Sequence, residues 1–354
     1  MSEEHNRRLG IFDSIRGILM VLVVFFHLLY VYFGEEPYHT ASALIPCFAM
    51  EVFLYIAGLF SQDDYAKSDH VLRRLLLMYA IFQIFYGFLH VLGGGAAPDI
   101  TQPYYVYWFL LCLVILRFAA RYVPKTKTAF VILCLLAVLG GLFPDADWHL
   151  SVSNSIAYAP FFWAGLMTDR KKLAAFIEHR SLKHYLAGSL LILAALLTGV
   201  LFIRTMNPTL AVLQMSPYET AADLLCRLMI YAVSVLMTAG FLLCSPADDI
   251  PFFTAVGRNS LPVFLLHLLP VFILIPLLSR VNSTWMRLGL SLFSAFLLAW
   301  LFGRDRMSTW LNRRFDVLQN GLAGTEKPGT VRIVRILTAA VLLALCAAAA
   351  KRFL

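Results

Sequence analysis

The stretch Ile11-Phe12-Asp13-Ser14-Ile15-Arg16-Gly17-Ile18-Leu19-Met20-Val21-Leu22-Val23-Val24-Phe25-Phe26-His27-Leu28-Leu29 decides the fold. From Ile18 to Leu29 the only titratable side chain is His27, and the apolar run continues to Phe33. A span over 15–33 is close to the roughly 20 residues that cross a bilayer as a helix. Charge gathers at its start, with Arg7, Arg8, Asp13 and Arg16. The run is too long for a signal peptide, lacks a small-residue cleavage site and carries Arg16 and His27. It reads as a retained first membrane helix.

Working outward, similar runs lie at 43–60, 71–92, 104–120, 128–143, 155–168, 184–203, 223–243, 260–279, 285–302 and 331–350. Of the 354 residues 60% are apolar and only 14% charged, against roughly 25% charged in soluble domains. That composition excludes a soluble fold, and the absence of short alternating segments excludes a β-barrel. The expectation is an all-α, polytopic transmembrane helical bundle of ten spans, or eleven if 331–350 inserts. It forms a single domain over 1–354, with 303–330 as an amphipathic segment and cytoplasmic linker.

The net charge of +8 reports orientation. With the N-terminus in the cytoplasm, 23 Lys and Arg residues fall on the inside and five outside, while Arg227 lies within a span. The loops 34–42, 93–103 and 144–154 contain no Lys or Arg. This is a positive-inside distribution, so the basic balance does not imply nucleic acid. The expected location is the bacterial cytoplasmic (inner) membrane, multi-pass. All six cysteines lie in or beside apolar spans without a C-x-x-C pair, and read as small buried hydrophobes.

The first span also carries the sharpest chemical signal. Arg16 and His27 are eleven positions apart, about three helical turns, so they share one face, with His27 about 16 Å deeper. Asp13 lies on the same side and can pair with Arg16. A histidine at mid-bilayer depth is a functional hypothesis by default, and a neutral imidazole can take a proton from a hydroxyl as general base. The bland alternative is a packing histidine hydrogen-bonded across helices.

Glu51 is a second charge at membrane depth, and His27 or an arginine is its expected partner. Arg73 and Arg74 open the third span and Arg117 closes the fourth. They read either as snorkelling anchors or as a phosphate site. The ninth span holds Pro262, Pro270 and Pro276, with Ser260 as a cap for a helix starting there. The Gly93-Gly94-Gly95 loop, the Asn282-Ser283-Thr284 sequon and the aspartates at 63–64, 145, 147 and 248–249 carry little specific signal. No metal-ligand spacing occurs.

These residues, taken in order, resemble the integral membrane acyltransferase 3 family, most closely its fucose 4-O-acetylase-like branch. Phe12 to Ile18 with His27 is similar to the family's Arg-x10-His signature. Tyr55-Ile56-Ala57-Gly58-Leu59-Phe60 resembles its second-helix motif, and Leu76 to Tyr79 with Phe82-Gln83 its third helix. Tyr107-Trp108-Phe109-Leu110 with Arg117, then Leu150 to Ser153 with Pro160-Phe161-Phe162 and Gly165, resemble the next two. Gly257-Arg258-Asn259-Ser260-Leu261 with Phe264-Leu265-Leu266-His267 is similar to its closing motif. The motifs run over 7–267. Asn154 stands where that branch carries arginine, and Ala49 and Glu51 replace its His and Pro.

The resemblance implies acyl transfer, usually acetyl, from acyl-CoA as donor substrate to a hydroxyl of an envelope carbohydrate or glycolipid, with no permanently bound cofactor and no metal. It implies His27, Arg16, Asp13 and Glu51 as catalytic. Arg7, Arg8, Arg73, Arg74 and Arg117 would hold the donor. Trp108, Asn154, Arg258, Ser260 and His267 would meet the acceptor. Oligomeric state is open. A transporter or flippase is the alternative, from the intramembrane His27 and Glu51 and the Pro-broken ninth span. A non-catalytic scaffold is the third reading.

Overall fold

The computed structural model describes residues 2–62, 65–95, 102–143, 149–245 and 249–323. The expected span at 331–350 and the aspartates at 63–64, 145, 147 and 248 lie outside the described residues. So do the side chains of Arg7 and Arg8.

The described chain is helical, with no strand. In order the helices are α1 (Ser2–Leu29), α2 (Tyr38–Leu44), α3 (Ala49–Leu59), α4 (Tyr65–Leu92), α5 (Trp108–Ala119), α6 (Lys127–Leu139), α7 (Val152–Met167) and α8 (Arg170–Glu178). Then follow α9 (Leu182–Met206), α10 (Leu210–Leu213), α11 (Ala221–Cys244), α12 (Pro251–Arg258), α13 (Ser260–Leu266), α14 (Leu268–Leu278), α15 (Thr284–Phe302) and α16 (Asp305–Ala323). Helix is the form that satisfies every backbone group within its own segment, which a lipid solvent demands.

Six described helical segments are long and apolar enough to cross a membrane: Gly10–Tyr32, Tyr38–Leu59, Asp69–Leu92, Leu182–Met206, Ala221–Cys244 and Thr284–Phe302. The expected ninth span is the bent pair α13–α14. The expected fourth and fifth are the shorter apolar helices Tyr105–Ala119 and Lys127–Leu142. The sixth is α7, whose residues from Ala157 to Phe162 are all buried. The second span starts earlier than expected, at Tyr38, and is interrupted by a 3-10 turn over Ile45–Cys47 containing Pro46.

The outer surface is apolar. Leu190 and Leu201 on α9 and Phe293 on α15 are each more than 60% exposed, which suits lipid and not water. The interior is held by close backbone approach. A Cβ on Gly58 would stand 2.0 Å from the carbonyl oxygen of Phe162, and one on Gly165 would stand 1.9 Å from that of Tyr55. α3 and α7 therefore meet backbone to backbone, as small residues allow between membrane helices.

The break between α13 and α14 bends the pair by 56° at His267. Pro270 explains it: its missing N–H and its ring disrupt the turn to Leu266, four residues earlier. Ser260 does not cap α13. It is the first helical residue, and the preceding Asn259 sends its amide to the carbonyls of Ala255 and Gly303 and to Asp305 instead.

Candidate active site

Helix periodicity places Asp13, Arg16 and His27 on one stripe of α1, and neighbouring elements fix each. The Asp13 carboxylate accepts a hydrogen bond from Arg16. The Arg16 guanidinium lies over the Phe60 ring, 5.5 Å from its centroid, and its Nε is buried without a partner. One turn of sequence links this end to α12, where Ser14 Oγ and Thr254 Oγ1 are 2.7 Å apart.

At the deep end, His27 Nδ1 is 2.6 Å from the Val23 carbonyl oxygen. A carbonyl can only accept, so the proton of the neutral ring is on Nδ1 and Nε2 carries the lone pair. The ring is packed edge-on by Phe26 at 4.9 Å and by His267 at 5.1 Å. His27 opens on a cavity of about 210 Å³, whose wall includes Tyr30, Tyr105, Trp108, Tyr158 and Gln214. That is below the roughly 300–1,000 Å³ that holds drug-sized ligands. The cavity suits one ring or one acyl group and is too small for a nucleotide.

Trp108 stacks on Tyr158, with centroids 5.3 Å apart and planes at 17°. Tyr105 has φ of 51°, in the left-handed region, and its ring lies 5.7 Å from Tyr30 and 6.4 Å from His27. Such a conformation in a bulky residue is uncommon and gathers at functional sites. Sequence reasoning missed Tyr30, Tyr105, Tyr158 and Gln214. Tyr and Gln are ordinary in any span or loop, and only packing puts them on one wall. The connection between α9 and α11, which includes the short α10, supplies Leu213 and Gln214 to that wall.

Among the described residues, the structure does not pair Glu51 with His27 or with an arginine. Glu51 is fully buried, and neither carboxylate oxygen accepts a well-formed hydrogen bond from a described residue. The register of α3 turns it toward α11, where its polar neighbour is the Ser234 hydroxyl, which shares its one proton between the carbonyls of Cys47 (2.6 Å) and Ile230 (2.8 Å). Arg227, also buried, bonds the carbonyls of Ala137 and Ser216 and lies over Tyr218.

The cations expected to hold a donor are scattered in circumstance. Arg74 bonds Asp316 and Asn312, both through 2.7 Å contacts, and so ties α4 to α16. Arg73 is exposed, and Arg117 is half-buried with an unpartnered Nε. Of the residues expected to meet an acceptor, Trp108 alone lines the cavity. Asn154 is buried in the first turn of α7, Arg258 is exposed at the end of α12, and Ser260 is half-buried. His267 has no exposed surface and lies behind His27.

The family described as acyltransferase domain matches residues 9–304 of the chain. No curated protein and no solved structure matches.

Proposed function

The chain belongs to this acyltransferase family, and from that premise we propose that it moves an acyl group from acyl-CoA to a hydroxyl of a cell-envelope carbohydrate or glycolipid. Acetyl is the simplest such group. The observation that carries this reading is His27: its Nδ1 is tied to Val23 and its Nε2 lone pair is left for the cavity. A sugar hydroxyl is a poor nucleophile until a base takes its proton, a contribution of about 10²–10⁴-fold. In the proposed step Nε2 takes that proton as the hydroxyl oxygen attacks the thioester carbonyl. The C–S bond then breaks and the proton passes to the departing sulfur.

Helical rise supports a donor-holding role for Arg16. It lies about 16 Å from His27 along α1, too far to touch the carbonyl that His27 serves. We assign it to the phosphate end of the donor, with Arg7, Arg8, Arg73 and Arg117 as further cations and the pantetheine arm spanning the distance. Arg74 already has acidic and amide partners and serves as an anchor. On the cavity wall Tyr30, Tyr105, Trp108 and Gln214 carry the N–H or O–H groups that would serve the carbonyl oxygen and the acceptor. With the N-terminus in the cytoplasm of a bacterial inner membrane, this end faces the cytosolic acyl-CoA pool, as the distribution of Lys and Arg supports.

The test uses the full chain in nanodiscs with radiolabelled acetyl-CoA and a glycolipid extract, comparing wild type, His27→Ala and Arg16→Ala. We expect label transfer in wild type, its loss in a folded His27→Ala, and weakened donor binding in Arg16→Ala. Wild-type turnover in His27→Ala would remove the base from this mechanism. Uptake of substrate into proteoliposomes without any acyl donor would favour a transporter.

A further inference from the structure

Helix α16 sorts its charges onto separate faces. Asp305 and Asp316 turn to the bundle, where Asp305 accepts from the Asn259 amide at 2.8 Å and Asp316 from Arg74 at 2.7 Å. Leu311 and Phe315 are buried beneath it. Arg306, Trp310, Arg313, Arg314 and Val317 are all exposed. At about 3.6 residues per turn they fall within about 100° of arc and form one outward stripe. An open groove of about 710 Å³ runs between their side chains. Among the described residues no acidic side chain pairs with any of the three arginines. A helix face that meets only water commonly alternates the two signs. This one carries cations with a Trp between them.

Neighbouring elements set the level of this stripe in the membrane. On α15 Trp285 and Trp300 are exposed, one at each end of the span Thr284–Phe302, the pattern of residues at the two headgroup levels. The Arg304 guanidinium lies 3.7 Å over the Trp300 ring, and α16 begins at the next residue. At the far end of α16 the Gln319 amide donates to the carbonyl of His70 at 3.4 Å, one residue inside the span Asp69–Leu92. Both moorings stand at the Arg16 end of the bundle. Asn259, which holds Asp305, follows α12, and α12 packs on Asp13 and Gly17. α4 opens a few residues after Phe60, whose ring lies against Arg16. α16 therefore lies along one headgroup level and does not cross the bilayer. Arg74 holds its middle through Asn312 and Asp316, so the stripe cannot roll inward.

We propose that this stripe is a binding site for anionic phospholipid headgroups of the surrounding bilayer, with Arg306, Arg313 and Arg314 taking the phosphate and Trp310 lying among the headgroups. Guanidinium forks match phosphate oxygens, and Trp is at home where one side of the ring is apolar and the other wet. A basic segment beside an anionic membrane gains about fivefold in binding for each cation. The groove shares no lining residue with the cavity beside His27, which favours lipid over the acyl donor as its occupant. Residues 305–323 lie beyond the family match at 9–304, and nothing in this site depends on the role of His27.

The test places the full chain in nanodiscs of phosphatidylcholine, alone or mixed with phosphatidylglycerol, and follows amide exchange over 305–323. Wild type is compared with the triple variant Arg306→Gln, Arg313→Gln, Arg314→Gln, and with Arg280→Gln, an exposed cation away from α16. We expect phosphatidylglycerol to slow exchange in wild type by about tenfold or more, on the scale of three cations near an anionic surface. High salt should shrink that difference. The triple variant should exchange within about twofold in the two bilayers, while Arg280→Gln keeps the wild-type difference. Equal exchange in both bilayers for wild type overturns the proposal, and so does a triple variant that keeps the difference. Slowing by acetyl-CoA in pure phosphatidylcholine, lost in the triple variant, overturns it in favour of a donor site. Thermal unfolding in pure phosphatidylcholine checks that the triple variant is folded. If it is not, the wild-type salt series decides, since a difference that persists at high salt overturns a headgroup-charge site.

Discussion

The carbonyl oxygen of Asp13 lies 1.7 Å from where a Cβ on Gly257 would stand, so the backbones of α1 and α12 touch at the residue whose carboxylate holds Arg16. On the other side of the contact a Cβ on Gly17 would stand 2.0 Å from the Phe253 carbonyl. The obstacles are backbone atoms, which cannot turn aside. Gly257→Val therefore forces the helices apart, and a destabilisation at or above the roughly 1–3 kcal/mol of overpacking is expected. Gly289 on α15 has no atom near its Cβ position, so Gly289→Ala should be neutral or slightly stabilising, by up to about 1 kcal/mol. Thermal unfolding in detergent separates the two.

Arg16→Ala should raise KM for acetyl-CoA by about tenfold or more, the scale of a hydrogen bond to a charged group, and change kcat less. Asp13→Asn leaves the guanidinium in place without its orienting carboxylate, and should raise KM by a smaller factor. Steady-state kinetics at varied donor concentration check both. A loss confined to kcat would put Arg16 at the reacting carbonyl.

The Trp108–Tyr158 stack forms one wall of the cavity. Such aromatic pairs contribute about 0.5–1.5 kcal/mol beyond their burial. Trp108→Leu should raise KM for the acceptor about 2- to 10-fold and leave donor binding unchanged, measured with the glycolipid extract and by acetyl-CoA binding separately.

Among the described residues Glu51 faces no cation, only the Ser234 hydroxyl. A charge alone at this depth is costly, whereas an amide of the same shape is less so. Glu51→Gln should leave the unfolding temperature unchanged or raised, and keep kcat within about threefold. A loss of activity of about 10²-fold in a stable Glu51→Gln protein would instead support the catalytic role expected for Glu51.

Arg74 fastens α16 to α4 through Asp316 and Asn312. The pair is partly exposed, and such pairs contribute about 1 kcal/mol or less. Arg74→Ala should leave the bundle folded while amide exchange across residues 305–323 speeds up. Mass-resolved hydrogen exchange reads this directly.

How much of this was legible in the residues differs from element to element. The Asp13–Arg16–His27 stripe was, because an α-helix has a fixed period and one helix needs no knowledge of its neighbours. The bend in the ninth span was legible in part, from its prolines, although the break falls at His267, set by Pro270. The partner of Glu51 was not. A membrane-depth carboxylate predicts a cation, but the register of α3 turns it toward Ser234. The expected acceptor residues were also only partly placed, since Trp108 reaches the cavity while His267 stands behind His27.

What the sequence determined by itself is therefore local: apolar runs must be helices because lipid offers the backbone no partners, and spacing along one helix fixes which side chains share a stripe. Only the tertiary structure decided which helices meet. It brought His267 against His27, set Trp108, Tyr158 and Gln214 on one wall, and turned Glu51 toward Ser234. The physical reason is that lipid tails are as apolar as the residues between helices. The hydrophobic pattern thus does not tell an interior face from a lipid face, and that choice falls to close packing at positions such as Gly257 and Gly58.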